Sequence, residues 1–476
     1  MYKQYIGGRL VEGKGAEFPV YNPATNEVIA MVAGATAGQA KEALELARDA
    51  QKKYAKTTME ERIGWLVKFR DAILEEKESI VTLLSEETGK PYAIACEDFD
   101  WCVECLTFYS EEIRRVNGVS LPDFNTPYGG TYHIVEKRPI GVIAGHLAWN
   151  YPLGNAGFKI GPTIVSGCAC VLKPAIETPL TTLYFGEIMH RIGLPAGIVN
   201  IISGPSSEVC GVINGSTIPK MLTLIGSTET GRKVMEQGAT SIKSYSLELG
   251  GNAPVIIMED ADLKQAAVKT VQMKTSNSGQ MCTDYNRIYV HESVYDKFCA
   301  MVEKELSKVK LGKGRDEGYI MGPMINRGAR DRMLELIEDA CKRGARLLRG
   351  GEIPEEFEKG NYITPALLVD VDEEMRVSRE EIFGPIIALR PYSDLDEVLK
   401  LAVDTEYGLA SYLWGHDARK LSKAFEALEF GEVFVNGAGG GAHLPHAGVK
   451  QSGVGCDSSR WSLDEYFDLR RIALVP

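Results

Sequence analysis

Between Gln39 and Ala55 the apolar positions Ala40, Ala43, Leu44, Ala47 and Ala50 recur at helical spacing, which predicts an amphipathic helix. A second amphipathic segment runs from about Met59 to Glu76, and helix continues towards Arg115. Ahead of them lie short strands and turns, with Asn22-Pro23-Ala24-Thr25-Asn26 as a turn. Short apolar runs then alternate with helical stretches: strands at Ile140–Ala144, Ala169–Leu172, Ile198–Ile202 and Met221–Ile225, helices at Thr178–Ile192 and Thr228–Gln237. Such alternation implies a parallel sheet covered on both faces, hence an α/β fold. A second alternating region runs from Ala253 to about Val435, with strands at Val255–Met258, Arg287–Val290 and Ile386–Leu389, and closes on Gly437–Gly441. Asn117–Lys137 has few helix signals and reads as an extended arm, which the strand-like Leu469–Val475 could pair with.

The chain has 476 residues, enough for two to four domains and several cores. Its net charge of −12 argues against a nucleic-acid surface, which needs a cationic face, but leaves room for an anionic cofactor held by a few local donors. No apolar run is long enough to span a bilayer, and Met1-Tyr2-Lys3-Gln4-Tyr5-Ile6-Gly7-Gly8 lacks an apolar signal core, so a cytoplasmic protein is expected. Ten cysteines are too dilute for a disulfide framework, so most should be buried thiols and at least one could be reactive. No cluster with recognisable metal-ligand spacing is present, and there is no internal repeat.

Two motifs invite over-reading. Trp101-Cys102-Val103-Glu104-Cys105 has the form of a thiol–disulfide exchange site, but lies inside the helical run Ala93–Arg115 with no strand before it, so buried helix cysteines are expected. Gly437-Ala438-Gly439-Gly440-Gly441-Ala442 fits the glycine pattern of dinucleotide loops, yet Ala442-His443-Leu444-Pro445 cannot start the helix that pattern needs.

Five other segments carry candidate chemistry. Asn277-Ser278-Gly279-Gln280-Met281-Cys282 sets a cysteine among small polar residues, placed for access, although another buried thiol is the plainer alternative. Leu247-Glu248-Leu249-Gly250-Gly251-Asn252 puts a carboxylate between leucines at a strand end; an apolar setting would raise its pKa and suit it to general-base work, whereas a salt-bridged or exposed residue would do nothing. In Trp149-Asn150-Tyr151-Pro152-Leu153 the Asn amide, at a strand-to-helix junction, could donate to a developing oxyanion or merely cap the helix. Leu172-Lys173-Pro174-Ala175 places a lysine at the carboxyl end of a buried strand, where open α/β sheets bind ligands. Gly226-Ser227-Thr228-Glu229-Thr230-Gly231 lies between a strand and a helix, whose free N–H groups can cradle a pyrophosphate.

In this order, with Met321-Gly322-Pro323, Glu381-Ile382-Phe383-Gly384-Pro385, Val435-Asn436-Gly437 and Gly448-Val449-Lys450-Gln451-Ser452-Gly453, these segments resemble the aldehyde dehydrogenase superfamily over nearly the whole chain. The resemblance implies a Rossmann-like cofactor domain (1–116 and 140–250), an α/β catalytic domain (251–452) and a β oligomerisation arm (117–139 and 453–476), assembled as a homodimer or homotetramer. It implies Cys282 as nucleophile on an aldehyde, an oxyanion held by the Asn150 amide and the Cys282 N–H, and Glu248 activating the water that hydrolyses the thioester. NAD or NADP would meet Trp149, Lys173, Ala175, Ile176, Gly226, Ser227, Gly231, Leu249, Glu381 and Phe383. The substrate would meet Tyr151, Asn155, Phe158, Met281, Thr283, His443, His446 and the loop between Gly437 and His446.

Where many NAD-preferring members carry a glutamate three residues after the lysine, this chain has Ile176, which removes a charge that would repel a 2′-phosphate; NADP or dual use is therefore open. Leu224-Ile225-Gly226-Ser227 replaces the usual Phe-Thr-Gly-Ser and should alter packing more than chemistry. Asp284 places a carboxylate where a small residue is common and is expected to point away from the thiol. His446-Ala447-Gly448 is similar to the lactaldehyde and glycolaldehyde dehydrogenase branch, and the small polar loop suits a small or hydroxylated aldehyde. Rivals are a coenzyme A-acylating enzyme, disfavoured by the presence of Glu248, a silent structural or binding homologue, and a thiol oxidoreductase built on Cys102 and Cys105.

Overall fold

The computed structural model describes residues 2–125, 130–318 and 320–475. Two sheets carry the architecture. The first runs, from edge to edge, Arg9–Val11, Gln4–Ile6, Val199–Ile201, Ala169–Lys173, Val142–His146, Pro219–Ile225, Ser244–Glu248 and Gly453–Val454. Its five central strands are parallel and its outer strands antiparallel. Val142–His146 and Ala169–Lys173 are buried along their whole length, which is why they read as unbroken apolar runs. Chain order runs outward from Val142–His146 in one direction and resumes on its other side at Pro219–Ile225. The crevice beyond these strand ends is thus a topological switch point.

The second sheet runs Arg346–Arg349, Ala366–Val369, Ile386–Tyr392, Tyr285–His291, Ala253–Ile257, Ala410–Trp414 and Glu432–Val435. It is parallel except at the Arg346–Arg349 edge. Separate apolar clusters pack on its faces, as a doubly covered sheet requires.

The expected helices and strands form, with boundaries set by local chemistry. The first helix, Ala37–Tyr54, begins two residues before the expected Gln39, because Thr36 and Gln39 close a reciprocal capping box. Thr58 and Glu61 do the same for Met59–Glu75. The strand expected at Ile140–Ala144 lies at Val142–His146: Gly141 takes φ +129°, and pairing with Ala169–Lys173 carries the ladder on to His146. The helix Ser206–Gly215 was not anticipated.

Trp101 to Cys105 lie within the helix Tyr92–Glu112, with both cysteines buried and both thiols pushed up by that burial. The Gly437–Gly441 stretch is a loop with no helix after it. Phe467–Leu474 pairs antiparallel with Tyr132–Pro139, which also carries Val119–Leu121, so the arm and the carboxyl-terminal strand meet as expected. Residues 126–129 of the expected arm lie outside the described residues. No helix among the described residues is long and apolar enough to cross a membrane.

Candidate active site

Cys282 sits between the helix Leu263–Thr275 and the strand Tyr285–His291, on a loop whose backbone is unusual. Asn277, Ser278 and Gly279 take φ of 46°, 56° and 71° in succession, a left-handed run that costs non-glycine residues of order 1–3 kcal/mol each. Side chains hold it there. Asn277 Nδ2 donates to Asn150 O (3.1 Å) and Gln280 O (3.2 Å), and Ser278 Oγ to Gly322 O (2.7 Å). Gln280 Oε1 accepts from Ile325 N at 2.9 Å. The Met321-Gly322-Pro323 motif is thus an anchor for the loop. A Cβ on Gly279 would lie 2.4 Å from Gly384 O, so Glu381-Ile382-Phe383-Gly384-Pro385 packs directly against it.

Asn150 is not a helix cap, since the residue preceding the helix Pro152–Ser166 is Tyr151. Its Nδ2 donates to Gln280 O at 3.2 Å, which turns the donor end of the amide to the cysteine loop and leaves Oδ1 buried without a partner. An amide nitrogen carries two hydrogens, so one remains for an oxyanion.

Glu248 ends the strand Ser244–Glu248 and is 2% exposed, with neither carboxylate oxygen hydrogen-bonded. Burial drives its pKa well above the ordinary value; His446 and Lys159 pull against this, while Asp457 and Glu432 add to it. The Gly-Gly turn that follows touches the cysteine loop, for a Cβ on Gly251 would lie 2.2 Å from Cys282 O. Ser452 stitches the same turn, donating to Gly250 O (2.7 Å) while its carbonyl accepts from Leu249 N (2.8 Å).

His446 Nε2 lies 3.9 Å from Cys282 Sγ, and its Nδ1 lies 2.7 Å from Glu432 Oε1. Sequence reasoning placed His446 near the substrate but missed Glu432, which opens the strand Glu432–Val435 and belongs to no motif. It also missed the buried pair of Lys159 and Asp457 behind Glu248. Asp284 is buried and paired with Lys274 at 2.7 Å.

Around the mouth, Phe158 meets Trp101 edge to face (6.1 Å), and Lys90 Nζ lies 3.8 Å from the centre of the Tyr151 ring while bonding Asp98 at 3.1 Å. Glu104 accepts from Ala442 N at 2.9 Å and ties down the glycine loop; His443 is exposed on that loop. Asn155 engages Ala148 O (3.2 Å), Met281 packs into the core of the second sheet, and Thr283 O accepts from the Tyr412 hydroxyl (2.6 Å).

The expected cofactor residues gather at the switch point of the first sheet. Lys173 is buried at its strand end, and burial lowers its pKa. Its Nζ reaches only the neighbouring Pro174 O, at 3.4 Å. Ala175 and the core-packed Ile176 follow it. Ser227 caps the helix Thr228–Gly238, Gly226 N donates to Glu248 O (3.0 Å), and a Cβ on Gly231 would lie 2.7 Å from Leu249. Trp149 and Phe383 meet edge to face at 5.5 Å. Glu381 accepts from Gly251 N at 2.8 Å, and desolvation pushes its carboxyl up to about 7. A buried ammonium at one strand end of this sheet and, after another of its strands, a helix start with free N–H groups fit an anionic, hydroxyl-bearing dinucleotide.

Comparison with known proteins agrees with this arrangement. A model of the aldehyde dehydrogenase family matches residues 10–472. The chain is 37% identical to a glutarate-semialdehyde dehydrogenase of Pseudomonas putida, over 99% of this chain and 97% of that protein. It is 35% identical to an NADP-dependent succinate-semialdehyde dehydrogenase of Escherichia coli, over 98% and 97%. A solved lactaldehyde dehydrogenase superposes with a TM-score of 0.96 at 32% identity, covering 100% of this chain and 99% of that one. The chain belongs to the aldehyde dehydrogenase family, as an enzyme that oxidises aldehydes to acids with NAD or NADP.

Proposed function

We propose that the protein is a hydrolytic dehydrogenase of small, polar or hydroxylated aldehydes, with Cys282 as nucleophile, Asn150 as oxyanion donor and Glu248 as base. The carrying observation is Glu248, a buried carboxylate with both oxygens unpartnered, whose following turn touches the cysteine loop. Cys282 sulfur attacks the aldehyde carbon, and the carbonyl electrons move to oxygen, where the Asn150 amide and the Cys282 N–H hold them. Bound NAD(P)+ supplies the hydride acceptor. Glu248 takes a proton from water, which attacks the thioester; the acid leaves and the thiolate returns. A bound coenzyme A would make this base unnecessary, so Glu248 favours the free acid as product.

Segments 1–116 and 140–250 would hold the cofactor and 251–452 the reacting groups. Lys173 would take the adenosine ribose, Ser227 and the start of its helix the pyrophosphate, and Glu381 the nicotinamide ribose. Ile176 leaves a 2′-phosphate unopposed, and one of the relatives above is NADP-dependent, so NADP should be accepted. Semialdehydes are the named substrates of two relatives. Here Lys90, over the Tyr151 ring, and Lys159, near Glu248, are each committed to an aspartate rather than free for a substrate carboxylate. The arm, 117–139 with 453–476, would join two or four copies in the cytoplasm.

The test is nicotinamide reduction by the purified protein with hydroxyaldehydes, plain short aldehydes and semialdehydes, with NAD+ or NADP+ and without coenzyme A, beside Cys282→Ala. Turnover lost in the variant supports the reading. Reduction that requires coenzyme A would move the chain to the acylating branch.

A further inference from the structure

His446 takes no part in the steps assigned to Cys282, Asn150 and Glu248, yet its imidazole lies within hydrogen-bonding reach of the thiol. Its backbone is pinned in an antiparallel bridge, His446 N to Asp457 O at 2.9 Å and Asp457 N to His446 O at 2.8 Å. Its imidazole, 24% exposed, spans from Cys282 Sγ (3.9 Å) to Glu432 Oε1 (2.7 Å), and the Glu432 side chain is 15% exposed. The charged groups facing it come from three further elements: Glu432 from the strand Glu432–Val435, Glu248 from Ser244–Glu248, and Asp457, itself paired with Lys159 of the helix Pro152–Ser166. Burial opposes a charge on the imidazole, but Cys282, Glu432 and Glu248 together outweigh it and hold its pKa well above the ordinary histidine value.

Resting on the reading of Cys282 as nucleophile, we propose that Cys282, His446 and Glu432 form a catalytic triad in which the imidazole takes the thiol proton. The S–H bond breaks, an Nε2–H bond forms, the electron pair stays on sulfur, and Glu432 accepts the Nδ1–H hydrogen bond. The base for the thiol is thus the imidazole. This divides the proton work. Glu248, whose carboxylate oxygens have no hydrogen-bond partner among the described residues, is left to the hydrolytic water. Without the imidazole, a thiol of ordinary pKa about 8.5 would be only a few per cent ionised at neutral pH.

The experiment is the pH dependence of Cys282 alkylation by iodoacetamide, without aldehyde or cofactor, in the native protein, His446→Phe and Glu432→Gln. The labelled peptide is identified by mass spectrometry, because His146 and Lys173 bring the Cys210 thiol, against its burial, down to about 7. Below about pH 8.5 the native protein should label faster than His446→Phe, which should slow about tenfold per pH unit. Glu432→Gln should fall between. Superposable profiles in all three would overturn the proposal, including the case where His446→Phe changes only KM for hydroxylated aldehydes. Should the variants not fold, ultraviolet thiolate absorbance of the native protein against Cys282→Ala decides: less thiolate absorbance in the variant at neutral pH supports the triad, and no difference overturns it. Low-pH labelling in a protein that oxidises no aldehyde would sustain the triad while removing the hydrolytic reading.

Discussion

At the scale of single residues, the same burial that makes Glu248 useful also holds it back. A general base acts in its ionised form, and desolvation raises the Glu248 pKa, so the hydrolytic step should go on speeding up as pH rises above the ordinary carboxylate range. Glu248→Gln should keep a rapid burst of nicotinamide reduction and lose steady-state turnover by about 10²–10⁴-fold, read by stopped-flow fluorescence. Asn150→Ala removes an oxyanion donor and should lower kcat by about 10²–10³-fold with KM little changed. Ile176→Glu should cut kcat/KM with NADP+ by about tenfold or more relative to NAD+, the equivalent of about 1.4 kcal/mol of new repulsion. An unchanged ratio would show that this position does not face the ribose. Glu248 and Asn150 could be singled out in the sequence because each is a polar residue set where its surroundings give it little else to do. Glu432 could not: it lies fourteen positions from His446, in no motif, and only the fold brings its carboxylate to the imidazole.

At the scale of elements, the cysteine loop is a strained device held from several sides. Gly279→Ala would add a Cβ 2.4 Å from Gly384 O at a residue with φ +71°, so activity should fall more steeply than thermal stability, measured as kcat beside Tm. Beneath the loop, Lys274→Met would leave Asp284 buried without its cation, and the melting free energy should drop by about 3–5 kcal/mol. Removing both charges together, Lys274→Met with Asp284→Asn, should cost less than the single change, which chemical denaturation can check. The helices and strands themselves were legible from periodicity, and the shifts that occurred have local causes: a capping box at Thr36 and Gln39, a left-handed glycine at position 141. The loop conformation was not legible, because nothing in Asn-Ser-Gly announces three left-handed residues that hydrogen bonds from Asn277 and Ser278 hold in place.

At the scale of the whole molecule, the site lies between the two sheets. Lys173 and Ser227, proposed to hold the cofactor, stand at carboxyl ends of strands of the first sheet, Cys282 precedes a strand of the second, and the Gly250-Gly251 turn joins the two. The three-stranded arm leaves Val119, Leu121, Tyr132, Leu469 and Leu474 exposed, at 53%, 46%, 62%, 72% and 53%. Apolar side chains gathered on one small sheet favour association. The protein should therefore sediment as a dimer or tetramer, and Tyr132→Glu with Leu469→Glu should shift it towards monomer; a native monomer would refute the role given to the arm.

The sequence by itself determined the α/β architecture, the alternation of its elements and the choice of the residues proposed to react. Those are written in local patterns: apolar periodicity, strand-end glycines, a cysteine among small polar neighbours. Only the tertiary structure decided what surrounds each reacting group. The partners that tune it, Glu432 beside His446, Lys159 beside Asp457 and Lys274 beside Asp284, come from different elements, and electrostatic and packing energies depend on distance in space rather than distance along the chain.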